Sequence, residues 1–279
     1  MSLLSFAFLL GILGHFSSDA TKIFSSRIFG GVDAPEGSAP YMVALIVGEY
    51  VSTLFCGGSL VTKRHVLSAA HCIEPMVIWG ELYRSFLGVI GTNKWNSPEN
   101  IIRFNHYEIH PEWDSALIKS DAGILFLEDE LQMNELIGVI SLSFDPVGGG
   151  VKCFVNGYGN VPIRYDGDVS LHPTPEKLQL LHVETISSQR CIEEVERAAS
   201  NWGPAPPVHP HLEICTFHSP NHGMCNGDSG SALIREKDSK QVGIVSWGFP
   251  CAIGYPDVFV RLTGVKDFLQ SVLAAHIVD

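Results

Sequence analysis

Short apolar runs, each cut off from the next by Gly, Pro, Asn or Asp, recur along most of this 279-residue chain. Runs of that length are strand-sized and too short for independent helices. Tyr41–Val47, Phe86–Ile90, Ile124–Leu127, Val151–Val155, Val242–Trp247 and Val258–Leu262 are read as strands. Their spacing favours an all-β sandwich or barrel. One segment breaks the pattern: Val265, Phe268, Leu269, Val272 and Leu273 recur at helical spacing and predict an amphipathic C-terminal helix. Ser141–Gly150, with Pro146 and three successive glycines, reads as a linker between two halves.

Hydrophobic residues make up 46% of the chain and charged residues 17%, which suits one or two globular domains and excludes disorder as the main state. A net charge of -12 argues against a nucleic-acid partner, which would require a basic face. Residues 1–20 read as a secretory signal peptide. Leu3–Leu13 is apolar but too short to span a bilayer, and Ser18 and Ala20 are small residues where a signal peptidase reads the chain. The expectation is a secreted, extracellular protein with no membrane partner. An oxidising compartment favours disulfides among the seven cysteines, although spacing alone does not assign the pairs.

Between Cys191 and Cys215 the chain changes character. Cys191–Ser200 predicts a short acidic helix, while the prolines of residues 201–211 forbid regular structure. His209, His211, His218 and His222 crowd this region, but their irregular spacing and the lack of a joining cysteine or carboxylate pattern argue against zinc.

The chemistry lies in two motifs. Met224-Cys225-Asn226-Gly227-Asp228-Ser229-Gly230 puts a serine in a tight polar turn, and Ser68-Ala69-Ala70-His71-Cys72 supplies a histidine upstream. A serine hydroxyl is a poor nucleophile at neutral pH and needs an oriented base. In this order the motifs resemble those of the chymotrypsin-like serine endopeptidases, from Ile28 to the C-terminus. That resemblance implies two six-stranded antiparallel β-barrels with a C-terminal helix and an active site in the cleft between them. It also implies peptide hydrolysis through an acyl-enzyme, without cofactor or metal; the loop after Gly88 is poor in the carboxylates a calcium ion would need. Ser229 would be the nucleophile and His71 its base. The third member should be an aspartate lying between them in sequence. Asp114 and Asp121 both match the family pattern. Asp121 is preferred because the stretch onward to an apolar Ile137–Leu142 strand has the usual length. The N–H groups of Gly227 and Ser229 would form the oxyanion hole. The resemblance further suggests the pairs Cys56–Cys72, Cys191–Cys215 and Cys225–Cys251, leaving Cys153 as a buried thiol.

Arg27-Ile28-Phe29-Gly30-Gly31 resembles the family's activation junction. Cleavage after Arg27 by a trypsin-like protease would remove a pro-segment, 21–27, and leave a protease domain, 28–279. The new Ile28 ammonium would then pair with Asp228. In the specificity pocket, Gly223 replaces the aspartate of trypsin-like enzymes, and Gly248 leaves the mouth open. Met224, bulky but flexible, would partly fill the pocket, and Asp257 stands where many relatives have glycine and would hold a basic side chain from the other side. Ser246-Trp247-Gly248 resembles the segment that pairs with substrate backbone. The Gly223 and Asp257 combination looks like that of crustacean collagenolytic proteases and insect chymotrypsins, and Cys251–Phe259 resembles the insect members. The implied preference is for Phe, Tyr, Leu or Met, with weaker acceptance of Lys and Arg. The plainer alternative for Asp257 is a solvated turn residue bonded to its own backbone. Expected partners are protein or peptide substrates, an activating protease and protein inhibitors. The rival reading is a catalytically inactive homologue acting as a binding or cofactor protein. The presence of His71, Asp121, Gly227 and Ser229 weighs against it.

Overall fold

Met42–Val47 is apolar at every position, and both of its faces are covered. Val43 and Leu45 point into one core cluster, while Met42, Ala44 and Ile46 point into another. Alternating side chains therefore serve two cores, the interior of a barrel and the seam against a second barrel. The computed structural model describes residues 28, 30–49, 51–159, 162–165, 168–171, 175–249 and 251–275. The expected signal peptide, 1–20, and pro-segment, 21–27 with Arg27, lie outside the described residues.

The first barrel comprises β1 (Met42–Val47), β2 (Thr53–Leu60), β3 (His65–Ser68), β4 (Phe86–Val89), β5 (Ile101–Ile109) and β6 (Gly123–Leu127), closed in the order β1-β2-β3-β6-β5-β4. The second comprises β7 (Lys152–Gly157), β8 (Gln179–Thr185), β9 (Glu213–Phe217), β10 (Ala232–Arg235), β11 (Lys240–Gly248) and β12 (Asp257–Arg261). Its order is β8-β7-β10-β11-β12-β9, and pairing of β8 with β9 closes the ring. All these ladders are antiparallel, as the family resemblance implies. The short strand Val32–Asp33 is added outside β8.

Six strands lie where apolar runs predict them. Five of the other six carry Ser, Thr, Cys, Gly, His or Glu among their apolar residues, which breaks the run without breaking the ladder; β10, Ala232–Arg235, has an apolar run of only three. Ile137–Leu142 differs from expectation. It forms no ladder strand and crosses between the barrels as extended chain, held at Leu142 by a single bridge to Gln241. Residues 141–150 continue as chain without a ladder strand.

Polar contacts tie the barrels together. Ser59 Oγ donates to Gln241 Oε1 at 2.7 Å, and Tyr41 Oη donates to Asn156 Oδ1 at 2.8 Å. After β12, a 3-10 turn (Leu262–Val265) leads into the C-terminal helix, Lys266–Ala275. Leu269 is fully buried against the first barrel's core cluster, so the end of the chain clamps both halves.

Three disulfides are present: Cys56–Cys72, Cys191–Cys215 and Cys225–Cys251. Cys153 is free and buried, and burial pushes its thiol up to about 12, so it stays protonated and inert. The helix after β8 runs Ser188–Trp202, with Ser187 Oγ accepting the Arg190 N–H as an N-cap. Gly203 ends it, and the proline-rich stretch that follows has no regular structure.

Candidate active site

His71 sits on the one-turn helix Ala70–Ile73, immediately after β3. Asp121 lies just before β6, the strand paired with β3. The ladder brings the two residues face to face. His71 Nδ1 and Asp121 Oδ2 are 2.7 Å apart, and the His71 backbone N–H donates to Asp121 Oδ1 at 2.9 Å. A carboxylate oxygen accepts, so Nδ1 carries the proton and Nε2 is left with its lone pair outward. Asp121 is 1% exposed and the His71 side chain 31%, which matches a buried orienter behind an accessible ring. Asp114, the competing carboxylate, sits in an exposed loop, where its Oδ1 accepts the N–H groups of Ala116 and Leu117.

Ser246 adds a third donor. Its hydroxyl reaches Asp121 Oδ2 at 2.5 Å from the second barrel. The β11–β12 register slips between Val245 and Trp247. Such a bulge re-aims a side chain, here that of Ser246. Sequence reasoning gave Ser246 only a substrate-pairing place, because a bulge leaves no signature in neighbouring residues.

Ser229 is carried by a turn between Cys225 and Ser231. Asp228 N–H donates to Cys225 O, and Ser231 N–H donates to Asp228 O, both at 3.0 Å. Gly57 N–H on β2 donates to Ser229 O at 2.7 Å, so the serine turn is bound to the first barrel. Gly227 (φ +99°) and Gly230 (φ +83°) have left-handed backbone that other residues rarely adopt. At Gly230 a Cβ would also overlap Ser68 Oγ and Gly57 O. Only glycine lets the turn lie this close to the segment that leads into His71.

Behind the turn, Asp228 is fully buried. Its Oδ1 accepts Gly159 N–H at 2.7 Å and its Oδ2 accepts Cys225 N–H at 2.9 Å. Burial raises its carboxyl to about 7, against the pull of those two bonds. Ile28 is also fully buried, in the second barrel's core cluster, with φ +40°.

Gly223, Gly248 and Asp257 converge. A Cβ at Gly223 would lie 2.9 Å from Asp257 Oδ2, and one at Gly248 would lie 3.5 Å from Oδ1. Asp257 is 9% exposed and accepts the Met224 N–H at 3.1 Å. It is therefore not the solvated turn residue of the plainer reading. Burial, with a smaller contribution from the Asp228 charge, raises it to about 8. Met224 does not fill the pocket as expected: its side chain packs in the second barrel's core, in the same cluster as Ile28, because burial there covers its apolar surface. Trp247 donates its indole N–H to Glu213 Oε1 at 2.9 Å. Glu213 and its partner Lys119 escaped sequence reasoning altogether, since nothing local marks a charge for burial. The four histidines noted above stack in two pairs, His209 with His211 and His218 with His222.

Two closed six-stranded barrels, with a His–Asp pair on one and a glycine-flanked serine turn on the other, form the layout of a chymotrypsin-like serine protease. The sequence profile named Trypsin matches residues 28–269. Chymotrypsin-2 of Vespa crabro is 30% identical over 247 residues, covering 87% of this chain and 98% of that protein. Trypsin II-P29 of Gallus gallus is 31% identical over 254 residues, 90% of each chain. Trypsin 5G1 of Aedes aegypti is 30% identical over 252 residues, 89% of this chain and 85% of that one. The chain belongs to the trypsin family of serine proteases, whose members act on protein substrates. Among the described residues no helix is long and apolar enough to cross a membrane.

Proposed function

We propose that this chain is a secreted serine endopeptidase, made as a zymogen and activated by cleavage after Arg27. The observation that carries the reading is the short His71–Asp121 pair beside a serine turn that Gly57 ties to the same barrel. Ser229 Oγ attacks the scissile carbonyl while His71 Nε2 takes its proton. Asp121 holds the ring in the required tautomer and stabilises the imidazolium that forms. The N–H groups of Gly227 and Ser229 face the developing oxyanion, worth about 3 kcal/mol per donor in comparable sites. His71 then protonates the leaving amine, and water repeats the sequence to release the acyl group from Ser229.

Activation acts through Asp228. A carboxyl raised to about 7 by burial is one that a cation would stabilise strongly. The α-amine created at Ile28 supplies that cation. The positive φ of Ile28 is costly for a β-branched residue, and cleavage before it removes that constraint. The uncleaved protein is then nearly inactive, and Arg27→Gln stays so in the presence of a trypsin-like protease.

The pocket takes large apolar side chains. Gly223 and Gly248 add no side chain of their own and leave the Asp257 carboxyl against their open faces, and Asp257 is largely protonated at neutral pH, so its pull on Lys and Arg is weak. An organophosphonate should label the Ile28-started protein at Ser229, and the unlabelled protein should cleave a peptide library after Phe, Tyr, Leu or Met. Absence of labelling would favour an inactive homologue. A library profile dominated by Arg and Lys would overturn the pocket assignment, and full activity in a protein beginning at Thr21 would overturn the zymogen.

A further inference from the structure

Lys119 and Glu213 are both almost fully buried, 6% and 4% exposed. They meet at 2.7 Å between Nζ and Oε1, across 94 residues of chain and across the two barrels. Taking two charges out of water is expensive, and a well-packed apolar pair often serves stability as well or better. The pair therefore calls for an explanation beyond packing.

Its surroundings supply one. Glu213 Oε1 accepts both Lys119 Nζ and the Trp247 indole N–H, while Oε2 accepts the His209 N–H at 2.6 Å. Lys119 Nζ also lies 5.4 Å from the centroid of the Trp247 ring. Lys119 is two residues before Asp121, and Trp247 is one residue after Ser246, which donates to Asp121. The loop and the strand are thus joined at two adjacent points, one through Asp121 and one through Glu213. The backbone around Lys119 is held in an unusual shape. Ile118 has φ +52° and Ser120 φ +53°, and Asp114 and Lys119 exchange backbone N–H···O bonds at 3.1 Å. Left-handed backbone at an isoleucine persists only where neighbouring contacts over-determine it, and the buried ammonium is one such contact.

We propose that Lys119 and Glu213 are a positioning pair that fixes the Trp247 indole, and with it the acyl-side wall of the cleft, relative to the Asp121 loop. The inference rests on the protease reading above and adds what sets its grip on extended substrates. Asp121 keeps three donors of its own, two from His71 and one from Ser246. Loss of the ion pair therefore leaves proton transfer in place and loosens the wall instead. Misplacement of a positioning group by about 1 Å can cost about 100-fold.

The test compares Lys119→Met and Glu213→Gln with the parent, all in the Ile28-started form. Two substrates are used: a peptide with four residues on the acyl side and a single-residue ester. Both variants should raise KM for the peptide by about 10- to 100-fold. Ester kcat and the rate of organophosphonate labelling should stay within about twofold, since Asp121 retains its donors. A role confined to stability would lower the melting temperature without this dependence on substrate length. Equal losses on both substrates, or no loss on either, would overturn the proposal. Glu213→Gln, nearly isosteric, carries the test if Lys119→Met does not fold. A parent that organophosphonate does not label removes the protease reading and this one together; a labelled parent whose variants lack the split removes this one alone.

Discussion

The carboxyl of Asp257 makes the choice between basic and apolar substrates depend on pH. Its ordinary value of 3.8 is raised to about 8, chiefly by burial. In the free enzyme it is about 1% ionised at pH 6, half ionised at pH 8 and about 90% ionised at pH 9. An ammonium about 4 Å from the ionised group gains about 4 kcal/mol at an effective dielectric of 20, before its own desolvation is deducted. The neutral carboxyl offers only a hydrogen bond. The assay is kcat/KM on paired peptides that differ only in Lys or Phe at the cleaved residue, measured with the Ile28-started protein from pH 6 to 9. Because kcat/KM reports ionisations of the free enzyme, the inflection belongs near pH 8. Ionisation of His71 or of the Ile28 amine affects both peptides alike and cancels in their ratio. The Lys-to-Phe ratio should rise at least about tenfold across that range, and Asp257→Asn should make it flat. A flat ratio in the parent, or an unchanged slope in Asp257→Asn, would refute the assignment of this carboxyl to the pocket. The same ionisation carries a stability consequence of definite sign. Between pH 3.8 and about 8 the folded protein holds a proton that the unfolded chain has released, so stability falls as pH rises through that window. Asp257→Asn should therefore melt higher than the parent at pH 9.

Gly159→Ala would drive a methyl into the Asp228 carboxylate, so peptidase activity should fall by about 100-fold with the fold retained, read by activity and circular dichroism together; full activity would show that Asp228 does not need this close approach. Ser246→Ala removes one of the donors to Asp121, and kcat should fall about tenfold with KM little changed; an unaltered kcat would exclude a role in orienting the carboxylate. Replacing both Cys191 and Cys215 by alanine should lower unfolding free energy by about 3 kcal/mol in urea titrations, since their loop spans 24 residues; a loss below about 1 kcal/mol would contradict the chain-entropy account.

Half of the barrel strands were legible because their residues are apolar on both faces. The strands β2, β3, β5, β8 and β9 were not, since a barrel admits Ser, Thr, Gly and His wherever a partner strand or the other barrel satisfies them, and β10 was not because its apolar run is only three residues long. Ser59 shows why. It looks like a loop residue in sequence, yet it is fully buried and bonded to Gln241, 182 positions away. Ile137–Leu142 is the converse, a largely apolar stretch that forms no ladder: Ile140 is buried in the cluster between the barrels while Val139 is half exposed.

The chain alone determined the serine turn with the glycines that flank Ser229, and the histidine beside Cys72, because those demands are local: a tight turn, a positive φ, a neighbouring cysteine. The sequence favoured Asp121 over Asp114, and the folded molecule brings it against His71; only the fold decided that Ser246 also turns to that carboxylate and that Asp257 loses its water. Those outcomes depend on barrel closure, which brings together groups 50 to 125 positions apart, and on burial, which changes a carboxyl's chemistry without changing any of its neighbours in sequence.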